Sequence, residues 1–469
     1  MHPLQKKEVL VVGLGDRGLA ACELLMRRGA RVTAVDVADT PELRKSGEKL
    51  KQLGMAVALG ATTLPKGAFE LAVLSPAVPR KDPLVQQVIE KRIHLISELE
   101  LGYQESSCLS LAVAGTNGKS TTAALIQQIL TRNDRKTVRA GDRRNPLCSF
   151  VDQTKHLDFF VLQVNAFQLE QTEFFRPVVA VLTNLAPDHL DRYSTPAEYV
   201  AAHAGLFRNQ QAFDWAVIQS EALARVRAAG IPLPAKLITF SATDPSAELH
   251  VDRGLLISRL PGWSGPLLDM DHCRLRGPHN AENVLAALAV GHVLRVPLEE
   301  MTEVVKSFSA GPHRFETVAE IGGVQFINDS KATNLDALNK ALQAVRPGTG
   351  GTPNIWLIAG GRDKGLDYHD AGPLVSKKVK HVFLVGESRE KLRAAWSLFT
   401  PCTVMDSLVE AVHEAARNAV SGDVVLLSPA CSSFDQFRNY QNRGETFCEA
   451  VKSISGGAQV ETPNIDGKT

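Results

Sequence analysis

The chain has 469 residues, of which 44% are hydrophobic and 22% are charged, so it has an ordinary globular composition and the length of about three domains. Its 52 basic and 51 acidic residues leave a net charge of +1, which argues against binding nucleic acid or an anionic membrane by bulk positive charge. The seven cysteines are scattered without a Cys-x-x-Cys motif, and no apolar stretch approaches the roughly 18 residues of a membrane span, so we expect a cytoplasmic protein.

Short apolar strands alternate with helical segments in three consecutive blocks, a pattern typical of parallel α/β sheets. The predicted strands of the three blocks are 8–12, 31–36, 55–59, 71–75 and 94–97; then 109–114, 159–164, 178–184, 215–219 and 237–241; then 324–328, 355–359, 381–385, 403–406 and 424–428. We therefore predict an α/β protein of three domains, with joints near 98–107 and 309–312 and a disordered tail at 456–469.

A glycine-rich turn, Gly-Leu-Gly-Asp-Arg-Gly at residues 13–18, follows the first predicted strand, and Asp36 ends the second. This pattern is typical of dinucleotide binding, in which the backbone approaches a diphosphate and an acidic residue meets a ribose. It suits any nucleotide diphosphate, and also close packing of a strand on a helix. NAD is disfavoured because an ATP-type loop follows in the next block.

The strongest local signal is Gly-Thr-Asn-Gly-Lys-Ser-Thr-Thr at residues 115–122, between the predicted strand 109–114 and a helix. The backbone N–H groups of such a loop, together with the helix N-terminus, suit a triphosphate. Lys119 can reach the terminal phosphates, and the hydroxyl that follows it suits Mg²⁺. The motif predicts an ATP site, although its two glycines stand closer together than in Gly-x4-Gly-Lys-Ser/Thr.

Polar residues also follow three other predicted strands. His189 lies beside acidic residues in one such loop, which suits either a metal or a hydrogen-bonded turn. The segment 328–334, Asn-Asp-Ser-Lys-Ala-Thr-Asn, offers a carboxylate, an ammonium and a hydroxyl together. The segment 428–437, Ser-Pro-Ala-Cys-Ser-Ser-Phe-Asp-Gln-Phe, contains Cys431, which we interpret as a small buried residue rather than a nucleophile.

These motifs, in this order, resemble the Mur ligase family over residues 8–452, and most closely its D-glutamate-adding members. The segments that carry the resemblance are 328–334 and 428–437, together with Pro-His-Arg-Phe-Glu at 312–316, Gly-Pro-His-Asn-Ala-Glu-Asn at 277–283 and Arg443-Gly444. The resemblance implies a Rossmann-like N-terminal domain, a central P-loop ATPase-like parallel sheet and a Rossmann-like C-terminal domain. The corresponding boundaries are 1–98 for the UDP substrate, 99–310 for ATP and 311–455 for the amino acid.

The resemblance also implies a reaction in peptidoglycan precursor synthesis, with ATP and Mg²⁺ as cofactors. ATP phosphorylates the alanine carboxylate of UDP-N-acetylmuramoyl-L-alanine, and the amine of D-glutamate then attacks the acyl phosphate. Neutralisation of phosphate charge and exclusion of water are expected to dominate both steps. A monomer is the expected acting form, and neither nucleic acid nor a membrane is an expected partner.

The family's motifs assign residues to each site by position in this sequence. The UDP-substrate site takes Gly13, Gly15, Asp36, Ser75 and Asp142. The ATP site takes Gly115, Thr116, Asn117, Gly118, Lys119, Ser120, Thr121, Asn280, Asn283, Arg314 and Asp329. The D-glutamate site takes Lys331, Thr333, Lys364, Ser433 and Tyr440. The catalytic set is Lys119, Gln163, His189, His203 and Lys331, and the metal ligands are Ser120, Thr121 and His189.

Three positions depart from the family's pattern, all at the expected reaction centre. Gln163 stands where the family has a metal-binding Glu, so an oxygen is kept but the charge that Mg²⁺ prefers is lost. His203 stands at the place of a carbamylated lysine, and Asp142, followed by two arginines, replaces the Asn of a Gly-Asn-Ile-Gly loop. A second metal site should be weaker unless His203 or the arginines compensate for the lost charge.

These departures leave three functions open within the family. The chain could be a working D-glutamate ligase with an altered metal centre, a binding protein that holds the UDP substrate without catalysis, or a ligase for another acceptor or amino acid. A NAD-dependent oxidoreductase is the unrelated alternative. Retention of Lys331, Lys364 and Ser433 favours the working ligase, because binding the UDP substrate alone has little need of a dicarboxylate site.

Overall fold

The computed structural model describes residues 3–189, 192–193, 195–275, 277–309 and 311–457, with the side chains of 455–457 excepted. Its contacts divide the chain into two compact units. The first comprises Met1–Leu185, Arg192–Arg274 and Asn280–Phe308; the second comprises Ala186–Asp191, Leu275–His279 and Ser309–Thr469. The expected tail at 456–469 lies outside the described residues from 458 onward.

An N-terminal sheet of five parallel strands belongs to the first unit and has the order β3-β2-β1-β4-β5. Its strands are β1 (Glu8–Val12), β2 (Arg31–Asp36), β3 (Ala56–Leu59), β4 (Leu71–Leu74) and β5 (His94–Ser97). Its helices are α1 (Asp16–Arg27), α2 (Pro41–Gln52), α3 (Pro83–Glu90) and α4 (Glu98–Gln104). All of β4 and four of the five residues of β1 are buried, as expected for central parallel strands covered on both faces.

A central sheet of nine strands also belongs to the first unit, in the order β14-β13-β12-β11-β10-β9-β6-β8-β7. Its strands are β6 (Leu109–Ala114), β7 (Thr137–Ala140), β8 (Phe159–Gln163), β9 (Val179–Leu182), β10 (Trp215–Gln219), β11 (Lys236–Ser241), β12 (Leu249–Asp252), β13 (Leu255–Ser258) and β14 (Gly265–Asp269). The helices of this part of the chain are α5 (Lys119–Arg132), α6 (Ala166–Leu169), α7 (Pro196–Ala204), α8 (Ser220–Ala228), α9 (Pro278–Val293) and α10 (Leu298–Ser307).

The central sheet is parallel from β7 to β12 and ends in an antiparallel extension that the sequence analysis did not predict. Arg253 and Gly254 join β12 to β13, and both have positive φ. This conformation suits a two-residue hairpin turn whose usual sequence is Asn-Gly. Strands of four or five residues joined without that signal are difficult to recognise from the sequence.

The C-terminal sheet belongs to the second unit and has the order β15-β16-β20-β17-β18-β19. Its strands are β15 (Glu316–Ile321), β16 (Val324–Asn328), β17 (Ile355–Gly360), β18 (Val379–Val385), β19 (Cys402–Val404) and β20 (Val424–Leu427). Its helices are α11 (Leu335–Ala344), α12 (Gly372–Lys378), α13 (Arg389–Trp396), α14 (Leu408–Asn418) and α15 (Tyr440–Gly457). Among the described residues of this sheet, only the edge strand β15 runs antiparallel; it is partly exposed, and it was not predicted.

The predicted α/β class with three sheets is confirmed. In each sheet the parallel strands end at the same edge, so the loops that follow them gather there. The glycine turn follows β1, the loop at 115–118 follows β6, and the polar segments 328–334 and 428–437 follow β16 and β20. Within the described residues, no helix combines the length and apolar character needed to cross a membrane.

Candidate functional site

The glycine turn after β1 lies against the ends of β2 and β4. Gly13 has φ +90°, and a Cβ on it would lie 2.9 Å from the Cβ of Ser75. The N–H of Leu14 donates to Oδ2 of Asp36 at 2.7 Å, and a Cβ on Gly18 would lie 1.8 Å from the carbonyl oxygen of Gly13. The structure therefore brings three predicted UDP-site residues together around a backbone turn that side chains would obstruct.

The N-terminus of α1 is open beside this turn. Gly15 caps the helix, and a Cβ on it would meet no described atom within 4 Å, so the first N–H groups have room for an anion. The loop after β7 lies alongside, because Arg143 Nε donates to Oδ2 of Asp16 at 2.9 Å. Asp142 stabilises that loop by accepting the N–H of Asn145 at 3.0 Å.

The loop at 115–118 is closed against β9 and α9. Gly115 has φ +125°, and a Cβ on it would lie 2.3 Å from Oγ1 of Thr183. Gly118 has φ +85°, and a Cβ on it would lie 2.2 Å from Oδ1 of Asn283, whose Nδ2 donates to Oδ1 of Asn280 at 3.2 Å. The predicted ATP residues Gly115, Gly118, Asn280 and Asn283 are thus brought together, and the two glycines allow a close approach that side chains would obstruct.

Hydrogen bonds fix the middle of this loop and place Lys119 over it. The N–H of Asn117 donates to Oδ1 of Asn184 at 2.9 Å, and Nδ2 of Asn184 donates back at 3.0 Å. The Lys119 ammonium donates to the carbonyl oxygens of Gly115 and Thr116 at 2.6 and 2.7 Å. Because carbonyl oxygens carry no formal charge, these two bonds hold the ammonium in place without neutralising it.

Ser120 and Gln163 place two side-chain oxygens, both possible metal ligands, next to each other. Ser120 Oγ donates to Oε1 of Gln163 at 2.6 Å, and Gln163 ends β8, next to β6 in the sheet. Thr121 is buried in the first turn of α5. Hydroxyl and amide oxygens can bind Mg²⁺, but both are neutral. The negative charge that balances the metal must therefore come from nucleotide phosphates.

His203 is buried in α7. It is 1% exposed, its Nδ1 lies 3.1 Å from the carbonyl oxygen of Tyr199, and its ring packs edge-on against that tyrosine at 4.4 Å. Within the described ranges, no group of three or more His, Cys, Asp and Glu side chains could hold a metal ion. A part for His203 in the reaction stays a prediction.

Asp329, predicted to contact ATP, is enclosed in the second unit at the end of β16. Its Oδ1 accepts the N–H of Phe315 at 3.1 Å, and its Oδ2 accepts the hydroxyl of Ser428 at 3.2 Å. Burial raises the pKa of the Asp329 carboxyl to about 7, although both hydrogen bonds and the positive charge of Arg314 act to lower it. This carboxyl therefore changes charge near neutral pH.

This pKa gives a stability prediction for the variant Asp329→Asn. The folded protein holds the proton up to about pH 7, whereas an unfolded Asp releases it near pH 4, so the stabilisation is complete below about pH 4 and is lost as pH rises toward 7. We expect the free energy of unfolding of the wild type to fall, relative to the variant, between about pH 4.5 and about pH 7.5. Urea unfolding across this range measures it, and parallel curves for the two proteins would contradict it.

The predicted amino-acid residues follow three neighbouring strands of the C-terminal sheet. Lys331 and Thr333 follow β16, Lys364 follows β17, and Ser433 follows β20. These strands lie side by side and parallel, so their following loops share one edge. The Lys331 ammonium lies 4.4 Å above the ring of Tyr440, which opens α15, so the structure brings these two residues into direct contact.

Lys364 is held by a carboxylate that the site prediction did not include. Its Nζ donates to Oδ1 of Asp188 at 3.0 Å, and Asn334 donates to Oδ2 of the same carboxylate at 3.0 Å. Asp188 is only 5% exposed. Burial alone would raise the pKa of Asp188, but the charge of Lys364, aided by His189 and Asn334, lowers it to about 2.

His189 has φ +55°, and its N–H donates to Oδ1 of Asp188 at 2.9 Å. It belongs to the second unit, whereas Ser120 and Thr121, with which it was predicted to bind a metal, belong to the first. The sequence signal that could have identified Asp188 is its position next to His189 in the loop after β9. The residue that Asp188 pairs with, Lys364, is 176 residues away.

Models of three Mur ligase domains match consecutive segments of the chain. The MurD-like N-terminal domain matches residues 7–97, the Mur ligase middle domain matches 113–291, and the Mur ligase glutamate ligase domain matches 313–431. A solved structure, the pseudomurein peptide ligase type C from Methanothermus fervidus, is similar with a TM-score of 0.61 and 16% identity over 96% of this chain and 100% of that one. This likeness concerns the fold alone.

Curated relatives are similar over nearly the whole length. The chain is 39% identical to the UDP-N-acetylmuramoylalanine–D-glutamate ligase of Acidobacterium capsulatum, over 97% of this chain and 98% of the relative. It is 37% identical to the protein of the same name from Geotalea uraniireducens, over 97% of this chain and 99% of the relative. The resemblance carried by the motifs is confirmed, and the chain belongs to the Mur ligase family.

Proposed function

We propose that this protein is an ATP-dependent ligase that adds D-glutamate to UDP-N-acetylmuramoyl-L-alanine, forming an amide, ADP and phosphate. The observation that carries the proposal is the loop at 115–118, closed on Asn283 with Lys119 above it, in a chain 39% identical to a D-glutamate ligase. The chemistry requires a phosphate cradle and a dicarboxylate site. The chain has residues suited to both.

In this proposal, each of three consecutive parts of the chain binds a different substrate. Residues 1–98 bind the UDP substrate, 99–310 bind ATP and 311–455 bind the amino acid. The open N-terminus of α1 beside Gly15 supports a diphosphate site in the first part. The cationic residues Lys331 and Lys364 support a dicarboxylate site in the third, because two ammonium groups complement two carboxylates.

The first step transfers the γ-phosphoryl group of ATP to the alanine carboxylate. The N–H groups at the start of α5 and the Lys119 ammonium bind the phosphates, and the ammonium stabilises the negative charge of the transferring group. Asn280 and Asn283 contact the adenine, while Arg314 and Asp329 contact a phosphate and the ribose. Magnesium, when bound beside Ser120 and Gln163, supplies further neutralisation of phosphate charge.

In the second step the amine of D-glutamate attacks the acyl phosphate, the amide forms and phosphate leaves. Lys331, Thr333, Lys364, Ser433 and Tyr440 bind and orient the amino acid. The carboxylate of D-glutamate competes with Asp188 for Lys364, because that ammonium already donates to a carboxylate. Exclusion of water protects the acyl phosphate from hydrolysis.

The Ser120–Gln163 pair leads to a prediction for the variant Gln163→Glu. A carboxylate keeps the acceptor for the Ser120 hydroxyl and adds the negative charge that Mg²⁺ prefers. We expect a lower Mg²⁺ concentration at half-maximal activity and a higher turnover. Rates measured over a magnesium titration test this, with Gln128→Glu, which adds the same charge at an exposed position of α5, as the control. A fall in turnover with unchanged magnesium dependence would show that the centre is adapted to Gln163.

The proposed reaction is tested by the identity of its product. The purified protein is incubated with ATP, Mg²⁺, UDP-N-acetylmuramoyl-L-alanine and one amino acid from a panel of D-glutamate, L-glutamate, D-aspartate and L-alanine. Mass spectrometry is expected to detect the D-glutamyl amide in preference to the others. A different amino acid in the product would reassign the substrate while leaving the reaction class intact.

We infer that the protein acts as a monomer in the cytoplasm. The cytoplasmic location rests on the substrates, since ATP and UDP-linked precursors are cytoplasmic, and on the seven cysteines, all of which are free thiols. Light scattering at working concentration, with and without substrates, measures the oligomeric state.

A further inference from the structure

Arg443 is a buried cation on α15 that the proposed reaction does not use. It is 2% exposed, and its guanidinium points at the ends of strands in the C-terminal sheet. Nε donates to Oγ of Ser330 at 3.1 Å, while Nη2 donates to the carbonyl oxygens of Ser330 at 2.9 Å and Cys431 at 3.1 Å. Nη1 lies 3.4 Å from the carbonyl oxygens of both Gly360 and Ser432.

These acceptors belong to the loops that follow three neighbouring strands. Ser330 follows β16, Gly360 ends β17, and Cys431 and Ser432 follow β20. One side chain therefore ties the loop after β16 to the loops after β17 and β20, which backbone hydrogen bonds between Arg362 and Ser432 already join to each other. A guanidinium suits this task because its five N–H donors have a fixed planar geometry, which a lysine ammonium lacks.

The acceptors are carbonyl and hydroxyl oxygens rather than a carboxylate. Burial lowers the pKa of Arg443 to about 10, so it remains charged at neutral pH. A buried charge without a directly bonded anion is costly to the fold. The hydrogen bonds of the guanidinium therefore offset this cost. Because they depend on its planar geometry, even Arg443→Lys, which keeps the charge, should disturb this part of the structure.

The residues next to these acceptors are those proposed for the amino-acid site. Lys331 follows Ser330, Ser433 follows Ser432, and Ser330 Oγ donates to the carbonyl oxygen of Tyr440 at 2.8 Å. We propose that Arg443 is a positioning residue, which fixes Lys331, Ser433 and Tyr440 relative to one another so that they bind the amino acid as one site. This proposal rests on the proposed function.

The test compares Michaelis constants for two substrates in the variant Arg443→Lys. Small displacements of binding groups are costly, so we expect the KM for D-glutamate to rise by about tenfold to 100-fold. The KM for UDP-N-acetylmuramoyl-L-alanine should stay within about twofold, because its proposed residues lie in the other unit. The milder variant Ser330→Ala, which keeps the backbone acceptors, should give a smaller rise for D-glutamate alone and covers the case in which Arg443→Lys does not fold.

Phe447→Leu is the matched control for lost stability. Phe447 is fully buried one turn farther along α15 and packs on the hydrophobic core of the same sheet. We expect it to lower the melting temperature with both KM values unchanged. Equal increases of both KM values in Arg443→Lys, or an unchanged KM for D-glutamate, would overturn the positioning role. Absence of D-glutamate-dependent turnover in the wild type would instead defeat the proposed function, and this is measured first.

Discussion

Replacing Lys119 by Met is expected to abolish most of the turnover while leaving the fold intact. The Lys119 ammonium donates to the carbonyl oxygens of Gly115 and Thr116, in the loop that we propose binds the triphosphate. Removing one positioned charge from a phosphoryl-transfer site lowers kcat by about 10²–10³-fold, as the loss of an oxyanion donor does. Steady-state ADP formation measures the effect.

Two further variants show whether the charge or its position matters. Lys119→Arg keeps the charge on a larger planar group and should recover little of the rate, because the space over the loop is fixed by Gly115 and Gly118. Lys155→Met removes an exposed lysine in the same unit and should leave the rate unchanged. Calorimetry should find the same affinity of Lys119→Met for the UDP substrate as in the wild type. A rate within about threefold of the wild type would contradict the proposed role.

Replacing Lys364 by Met should affect both stability and amino-acid binding. The side chains of Lys364 and Asp188 are 14% and 7% exposed, and removing one partner of such a pair costs about 3–5 kcal/mol because the other charge is left buried. The pKa of Asp188 should also rise, since burial is no longer opposed by the ammonium. We expect the KM for D-glutamate to rise at least about tenfold through loss of the cation.

A double-mutant cycle separates these two effects. In Asp188→Asn with Lys364→Met, no buried charge is left unpaired, so most of the lost free energy of unfolding should return while the KM for D-glutamate stays high. Lys391→Met is the matched control, because Lys391 bonds to Asp363 in a more exposed pair of the same unit and should cost less than about 1 kcal/mol. Urea unfolding and initial rates are the two readouts. If the free energy of unfolding lost in the double variant equals the sum of the losses in the two single variants, the two charges act independently.

Local signals in the sequence were sufficient to predict much of the fold. The strands β1, β6 and β16 are apolar runs followed by glycines or clusters of polar residues, and all three were predicted at their observed bounds. The strands β7 and β12 to β15 were not predicted, because they lie at or toward the sheet edges and are stabilised by pairing rather than by their own composition. The antiparallel pairs β12/β13 and β15/β16 are each joined by a two-residue turn, Arg253-Gly254 and Gly322-Gly323, whose residues have positive φ.

The candidate site likewise has features that the sequence predicts and contacts that only the folded structure shows. The loop at 115–118 was evident because its glycines, lysine and hydroxyls are consecutive. The sequence could not show that Lys364 pairs with Asp188, 176 residues away, or that Arg443 bonds to Ser330, 113 residues away. A cation has many possible partners along a chain, and only the folded sheets select one of them.

The most direct test of the account is phosphate release by the purified protein. The assay contains ATP, Mg²⁺, UDP-N-acetylmuramoyl-L-alanine and D-glutamate, and each component is omitted in turn. We expect release that requires every component, which would show that a chain with Gln163 and His203 at these two positions supports catalysis. No release from the complete mixture, with binding of the UDP substrate still detected by calorimetry, would contradict the account and indicate a non-catalytic binding protein.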